Sequence, residues 1–557
     1  MTLTEFLEHW SIVENPFMGE EARHDAVFTR LAMGGTRAPA DEPARAPVEP
    51  ASTATPATGE TAGGPRAPEP ARAPRRPAAI THPDFDKVFG DPGRPASSIV
   101  FGEKGSGKTA MRLQIERRVA DHNAANFTRR ALLVAYDDLN PVLDPFCARL
   151  VTGKVGPEEA LKKLRHLDHI DALLSLVVPR LTDAVLSGPE PLDLLGPAGA
   201  KGLADSRRAV RKLDAGLRRD LVLLQSLYDR TDGVERRTRR LRRLLRLPLP
   251  TSRAVWTLAA WLGWIPAAAA VAMAWYVDPT LRDDPAAPYV VGALGALWLA
   301  ALAKRSIWDR LTMIRLGRRV RRQLRVVPRS ERSYGRSLGH VDPSLRTPAH
   351  LPMTEADEPR YAMVRRLRRL LGAFGYASII IVVDRVDEPT LVRGDPERMR
   401  AVVWPLFNNK LLQQEGFGLK LLLPIELRHL LFKESGAFFQ EARLDKQNLV
   451  ERLAWTGPML YDLCDARLNA CRAPGVEPIT LLDLFAEDVT RQDVTEALGS
   501  MQQPRDAFKL MYQCLSDHCA SASGPQPSWR IPRPILEMVR KLQVDRVQQL
   551  YRGIRPA

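Results

Sequence analysis

The chain has 557 residues, 45% of them hydrophobic and 26% charged, with a formal net charge of +16. That is ample apolar material for two or three domains and excludes a chain that is disordered throughout. Five cysteines, Cys147, Cys464, Cys471, Cys514 and Cys519, with no paired CxxC spacing, argue against a disulfide framework or a zinc ribbon, and "CLSDHC" (514–519) reads as helix packing.

The segment 1–35 opens with "MTLTEFLEHW", whose Glu5 and Glu8 are unlike the basic start of a signal peptide. It predicts a short amphipathic segment, and "ARHDAVFTRL" (22–31) predicts a helix leading towards the next domain. Residues 36–78, "TRAPADEPARAPVEP" onward, alternate proline with alanine, glycine and threonine, a composition that forms neither core nor helix and predicts a disordered linker.

Order is expected to resume over 79–155. An apolar strand at 99–101 runs into "FGEKGSGKTAMR" (101–112), a glycine-rich turn followed by an amphipathic helix, and 131–135 predicts a second strand ending at Asp137 and Asp138. Strand, loop, helix and strand in this order begin a parallel α/β sheet. Residues 156–253 carry apolar positions three and four apart among charges, which predicts a solvated helical stalk.

Two charge-free runs follow, 24 residues at 254–277 and 19 at 285–303, each about long enough to cross a bilayer. Trp256, Trp275, Tyr276, Tyr289 and Trp308 stand near their ends, where amphipathic rings favour the interface. Arginine-rich flanks at 236–253 and 304–325 and an acidic loop between the runs predict a transmembrane hairpin with both ends cytosolic. Gly292, Ala296 and Ala300 form a small-residue stripe suited to close helix contact. The stretches 201–250 (15 basic, 6 acidic residues) and 304–332 (11 and 2) hold more than the chain's whole excess charge. Anionic lipid headgroups therefore account for that excess without nucleic acid. A basic juxtamembrane helix and polar linker are expected over 304–350.

A second sheet segment is predicted over 351–440. "IIIVVDRVDEP" (379–389) places five β-branched residues ahead of Asp384, a buried parallel strand delivering acids at its carboxyl end. "FGLKLLLPIEL" (417–427) predicts another strand, with Glu426 or Arg428 as a polar sensor. Residues 441–557 are expected to form a helical lid, beginning with a helix pair over 443–472. Arg505, at the start of a helix, is a candidate γ-phosphate sensor.

The motifs assign chemistry. GxxxxGKT, from Gly102 to Thr109, is a phosphate-binding turn: backbone N–H groups of Gly105, Ser106, Gly107, Lys108 and Thr109 surround phosphate at a helix N-terminus. Lys108 reaches the β- and γ-phosphates, and the Thr109 hydroxyl and Asp384 hold Mg2+. Glu388 is the first candidate for polarising the attacking water, with Asp387 its close competitor.

GEKGSGKT and VVDRVDE resemble the Walker motifs of the STAND and KAP branches of P-loop NTPases, relatives of the AAA+ class. A transmembrane insertion between the two motifs is similar to the KAP arrangement. KAP proteins usually carry paired aspartates at the first acidic position, where this chain has Asp384 and Arg385. The fold so implied is an α/β P-loop NTPase domain with a parallel sheet, split by a helical and transmembrane-hairpin insertion and followed by a helical lid.

The expected function is a membrane-anchored ATPase switch using ATP and Mg2+, multi-pass in the cell (inner) membrane, with both termini cytoplasmic and self-association into a homo-oligomer. Its protein partner is not readable. The alternatives are a nucleotide-binding membrane scaffold with little turnover and a membrane-tethered nucleic-acid-binding ATPase, the latter disfavoured because no aromatic-basic platform stands out.

Overall fold

Uninterrupted apolar runs make strands buried on both faces, as parallel sheets covered by helices require. The computed structural model describes residues 1–18, 22–32, 81–151, 156–187, 210–248, 251–277, 285–521 and 528–551. In it these runs form β1 (Ser98–Gly102), β2 (Arg130–Tyr136), β3 (Tyr376–Val383) and β4 (Phe417–Pro424), joined by a short β5 (Asn448–Val450). All pairings are parallel, in the order β2-β3-β4-β1-β5. The fold is therefore mixed α/β around a five-stranded parallel sheet. The linker 36–78 and most of the acidic loop (278–284) lie outside the described residues.

The chain divides into two compact units. One contains Met1–Phe85, Glu103–Arg117 and Leu453–Ala557; the other contains Asp86–Gly102 and Arg118–Arg452. This partition differs from the expected one, because the phosphate-binding turn groups with the C-terminal helices. The amino-terminal segment joins that same unit. Phe6, Ile12, Phe17 and Val27 share one core with Leu460, Leu468, Met511 and Leu515, and Arg467 reaches back to Asp25 (2.6 Å) and the Pro16 carbonyl (2.7 Å).

The sheet unit is organised around β3 and β4. Lys420, in the middle of β4, is fully buried and donates to the Val88 and Ala96 carbonyls at 2.6 and 2.7 Å. It thereby fixes the segment that enters β1. Burial pushes its ammonium down to about 8.

The insertion is not a solvated stalk. The helix His166–Ser187 is buried on several sides and shares the sheet's core. Its Ile170 and Leu173 face Val134, Ile379 and Ile381 of the strands and Val364 of the helix Glu358–Ala373 around one small apolar void. The sequence spacing resembled an exposed amphipathic helix, but the apolar residues cover more than one face, which requires burial. Within this core Arg360 pairs with Asp171 at 2.9 Å, and the Tyr228 hydroxyl donates to the same carboxylate at 3.0 Å. The expected polar linker at 329–350 is likewise structured. The helix Glu331–Leu338 buries Tyr334 and Leu338, and Arg329 donates to the Ser226 carbonyl (2.6 Å) and the Ser337 hydroxyl (2.8 Å).

Two helical segments, Val255–Ala272 and Ala287–Gln323, are long and apolar enough to cross a membrane; 6% of the apolar window of each is buried. Trp261, Trp275, Tyr276, Tyr289, Leu297 and Trp308 are exposed along them. The two helices meet at Gly263, where an added Cβ would lie 3.1 Å from the Trp298 ring, and the Trp298 N–H donates to the Ala260 carbonyl at 3.1 Å. The stripe Gly292, Ala296 and Ala300 is exposed and does not make this contact, because the indole sets the closest approach. Lys304 places its ammonium 3.4 Å from the centre of the Trp256 ring.

The second helix continues to Gln323, where its last carbonyls need donors. Arg149 donates to the carbonyls of Arg321 (3.0 Å), Leu324 (2.6 Å) and Val327 (2.5 Å), and Arg360 donates to Gln323 (3.0 Å). Arg325 grips Asp168 with two nitrogens, at 3.0 and 2.5 Å.

Candidate functional site

The phosphate-binding turn is built by backbone conformation that only glycine takes without strain. Gly105 and Gly107 have φ of +98° and +96°, where an L side chain meets its own backbone. The Ser106 N–H closes the turn on the Glu103 carbonyl (3.2 Å), and the helix Lys108–Ala125 starts directly behind Gly107. The first N–H groups of an 18-residue helix thus lie next to the turn, the usual source of anion affinity at a helix start. The Lys108 ammonium donates to the Glu103 carbonyl at 2.9 Å. Ser106 is buried, and its hydroxyl has no hydrogen-bond partner among the described residues.

Three side chains far along the chain pack on this turn within the same unit. Trp455 donates its indole N–H to the Ser106 carbonyl at 2.8 Å, and its ring lies 3.8 Å from where a Cβ on Gly107 would be. Gln503 donates to the Glu103 carboxylate. Arg505 presses on Gly105, whose added Cβ would lie 3.0 Å from the arginine Cβ and 3.2 Å from its Cδ. Trp455 is itself held by His82, ring centres 5.0 Å apart and edge to face. The His82 Nδ1 accepts from the Asp84 N–H (3.1 Å), so its Nε2 carries the proton and donates to the Ala454 carbonyl at 2.9 Å.

Of these residues the sequence analysis singled out Arg505 and passed over Trp455, Gln503 and His82. The signal for Trp455 is slight: one tryptophan in "LAWTGP", just before the helix Gly457–Ala470.

Asp384, Asp387 and Glu388 belong to the sheet unit. Asp384 directly follows β3, is buried, and accepts the Arg385 N–H at 3.0 Å. Arg385 holds φ of +59°, unusual for a residue with a side chain. That bend returns Val386 to the core, where it is fully buried. It also sets Arg385 within 3.2 Å of the Glu388 carboxylate. Glu388 is exposed and Asp387 half-buried, and the Asp387 carbonyl accepts from Gly394 N–H at 2.9 Å. Asn140, just after β2, receives the Thr390 N–H (2.9 Å) and hydroxyl (3.2 Å), tying this loop to the neighbouring strand end. Glu426 and Arg428, expected at a strand end, lie instead on the helix Ile425–Leu431, and Arg428 pairs with Glu451 at 2.7 Å.

Within the sheet unit, strand order relates the ends of β1 and β3. Gly102 closes β1 opposite Pro424, and Val383 closes β3 opposite Leu421. One strand, β4, separates β1 from β3, so the two strands lie about 10 Å apart across the sheet and end on the same side of it, with β1 reaching further along β4, to Pro424.

Neither family models, nor curated proteins, nor solved structures provide a match to this chain.

Proposed function

We propose that this protein is a membrane-anchored ATPase that works as a nucleotide-dependent switch. The observation that carries the reading is the Gly105–Gly107 turn, which leads directly into a helix N-terminus and is overlaid by Trp455, Gln503 and Arg505.

The residues suit a Mg2+-bound triphosphate. Two glycines at positive φ leave room for close backbone approach, and the buried Ser106 hydroxyl lacks a partner among the described residues. Lys108 would exchange the Glu103 carbonyl for phosphate oxygens, while the Thr109 hydroxyl and Asp384 would hold the cation. The metal's contribution is neutralisation of charge on the phosphates. Glu388 or Asp387 would take the proton side of the attacking water; Glu388 must first leave Arg385. Arg505 would sense the γ-phosphate and report it to the helix it begins, Pro504–Ser521. A switch needs two arrangements that bind ATP and ADP unequally, and side chains already seated on the turn supply that difference.

The hairpin would span the cell (inner) membrane with both termini cytoplasmic, its arginine-rich flanks on anionic headgroups, and the exposed Gly292–Ala296–Ala300 stripe would be available to a second copy. The test is ATP binding by the detergent-purified protein with Mg2+. Lys108→Ala is expected to weaken it about tenfold or more, the range for a lost charged hydrogen bond. Equal affinity in the two proteins would overturn the reading.

A further inference from the structure

Beside Arg505, in the unit that carries the phosphate-binding turn, the helices Pro504–Ser521 and Arg533–Tyr551 and the residue pair Phe17–Met18 enclose a cleft of about 300 Å³. This is the lower end of the size range for small-molecule sites. Arg505, Lys509 and Arg546 contribute three cations to its wall, and among the described residues no carboxylate lines it. Phe508 and Tyr512 contribute two aromatic rings from the same helix face, spaced one turn apart. Gln543, 4% exposed, presents a buried amide that both donates and accepts. Asp506 sits on the same helix; burial pushes its carboxyl up, against the pull of Lys509, Arg505 and Arg546.

The geometry points to a second ligand site here, for a small phosphorylated aromatic molecule of the nucleoside monophosphate class, that regulates the phosphate-binding turn through Arg505. Two guanidinium groups and an ammonium in one wall match a phosphate. Aromatic faces match a single base, and a buried amide reads a base edge. A cleft of this volume admits one base with its sugar and phosphate and excludes a dinucleotide. Its charge also separates it from the apolar surface of the hairpin.

Regulation rests on the ATPase reading given above. Arg505 belongs to both places: its Cβ and Cδ abut Gly105, and its side chain lines the cleft. A phosphate bound in the cleft draws the guanidinium to itself and so competes with the γ-phosphate. The ligand is therefore an inhibitor of turnover.

The experiment uses full-length detergent-purified protein and AMP as the probe, with adenosine and inorganic phosphate as separate arms. In the Lys108→Ala background, which removes the turn's own phosphate grip, AMP binds saturably. Arg546→Glu weakens that binding about tenfold or more, and Tyr512→Ala weakens it independently. Adenosine alone binds more weakly than AMP, and phosphate competes with AMP. In the otherwise native protein AMP lowers ATP turnover, and Arg546→Glu relieves the inhibition while keeping basal turnover. Absence of saturable AMP binding up to millimolar concentration, or binding that both Arg546→Glu and Tyr512→Ala leave intact, overturns the site. AMP binding that responds to these variants without affecting turnover overturns the regulatory link and leaves the site standing. Failure of the ATPase reading shows separately, as ATP affinity insensitive to Lys108→Ala.

Discussion

Lys420 offers a prediction that depends on the fold alone. Its ammonium is buried in the central sheet with two carbonyls as partners, and burial lowers it from 10.5 to about 8. The sign follows from proton counting. Below pH 8 both folded and unfolded chains hold the proton, and the fold bears the full desolvation penalty. Between pH 8 and 10.5 the folded chain has released it while the unfolded chain has not, so stability rises with pH across that window. The change amounts to roughly 3 kcal/mol at 1.36 kcal/mol per pH unit.

Lys420→Met keeps the unbranched shape and removes the charge. Val88 retains a donor, the Ser98 hydroxyl at 3.1 Å. The Ala96 carbonyl loses its lysine donor, at about 1–3 kcal/mol. At pH 7 the gain and the loss nearly cancel. The informative quantity is therefore the difference in stability between native protein and variant as a function of pH. Denaturant unfolding of both, in the same detergent at pH 7 to 10.5, is expected to show the native protein gaining up to roughly 3 kcal/mol relative to Lys420→Met. A difference that does not change with pH would refute the reasoning, and would mean that the amine is solvated or paired in a way its surroundings do not suggest.

Three further outcomes follow from particular contacts. Trp455→Phe keeps the ring beside Gly107 and deletes the bond to the Ser106 carbonyl, so ATP affinity should fall about fivefold, the worth of about 1 kcal/mol; unchanged affinity in a titration would separate Trp455 from the turn. Arg360→Met leaves the Asp171 carboxylate, 0% exposed, without its cation, and should destabilise the sheet unit by about 3–5 kcal/mol in denaturant titrations. Replacing both partners by Asp171→Asn and Arg360→Met should recover part of that loss. Val271→Asp puts a charge on an exposed apolar position of the first hairpin helix, at about 2.5–3.5 kcal/mol on the insertion scale; carbonate extraction of membranes should release more of the variant than of the native chain, and equal retention would argue against a span at this position.

The sequence made four strands legible because each is a run of apolar residues with turn residues beside it. It did not reveal β5. Three residues, Asn448 to Val450, become a strand only through pairing with Ser98 to Val100 of β1. The burial of the insertion was readable in principle: Leu173, Leu174, Val177, Val178, Leu181 and Val185 cover more of the helix surface than one exposed stripe allows. Charged neighbours such as Asp168 and Asp171 disguised it, because their partners, Arg325 and Arg360, are supplied from more than 150 residues away.

The same contrast holds at the candidate site. GEKGSGKT states its own conformation, since glycine supplies the two positive φ angles and lysine opens the helix. The side chains that overlie it do not announce themselves, as Trp455 and Gln503 lie 349 and 400 residues from their partners. Arg385 is legible as a departure from paired aspartates. Its bend and its grip on Glu388 appear only once Val386 is seen to need the core.

Steady-state ATP hydrolysis by the detergent-purified protein with Mg2+, beside Lys108→Ala and Glu388→Gln, tests the central claim most directly. The account predicts turnover in the native chain that both variants abolish, with Glu388→Gln still binding ATP. Native protein that binds ATP without hydrolysing it, in detergent and in anionic lipid alike, would contradict the account and leave a nucleotide-binding scaffold in its place.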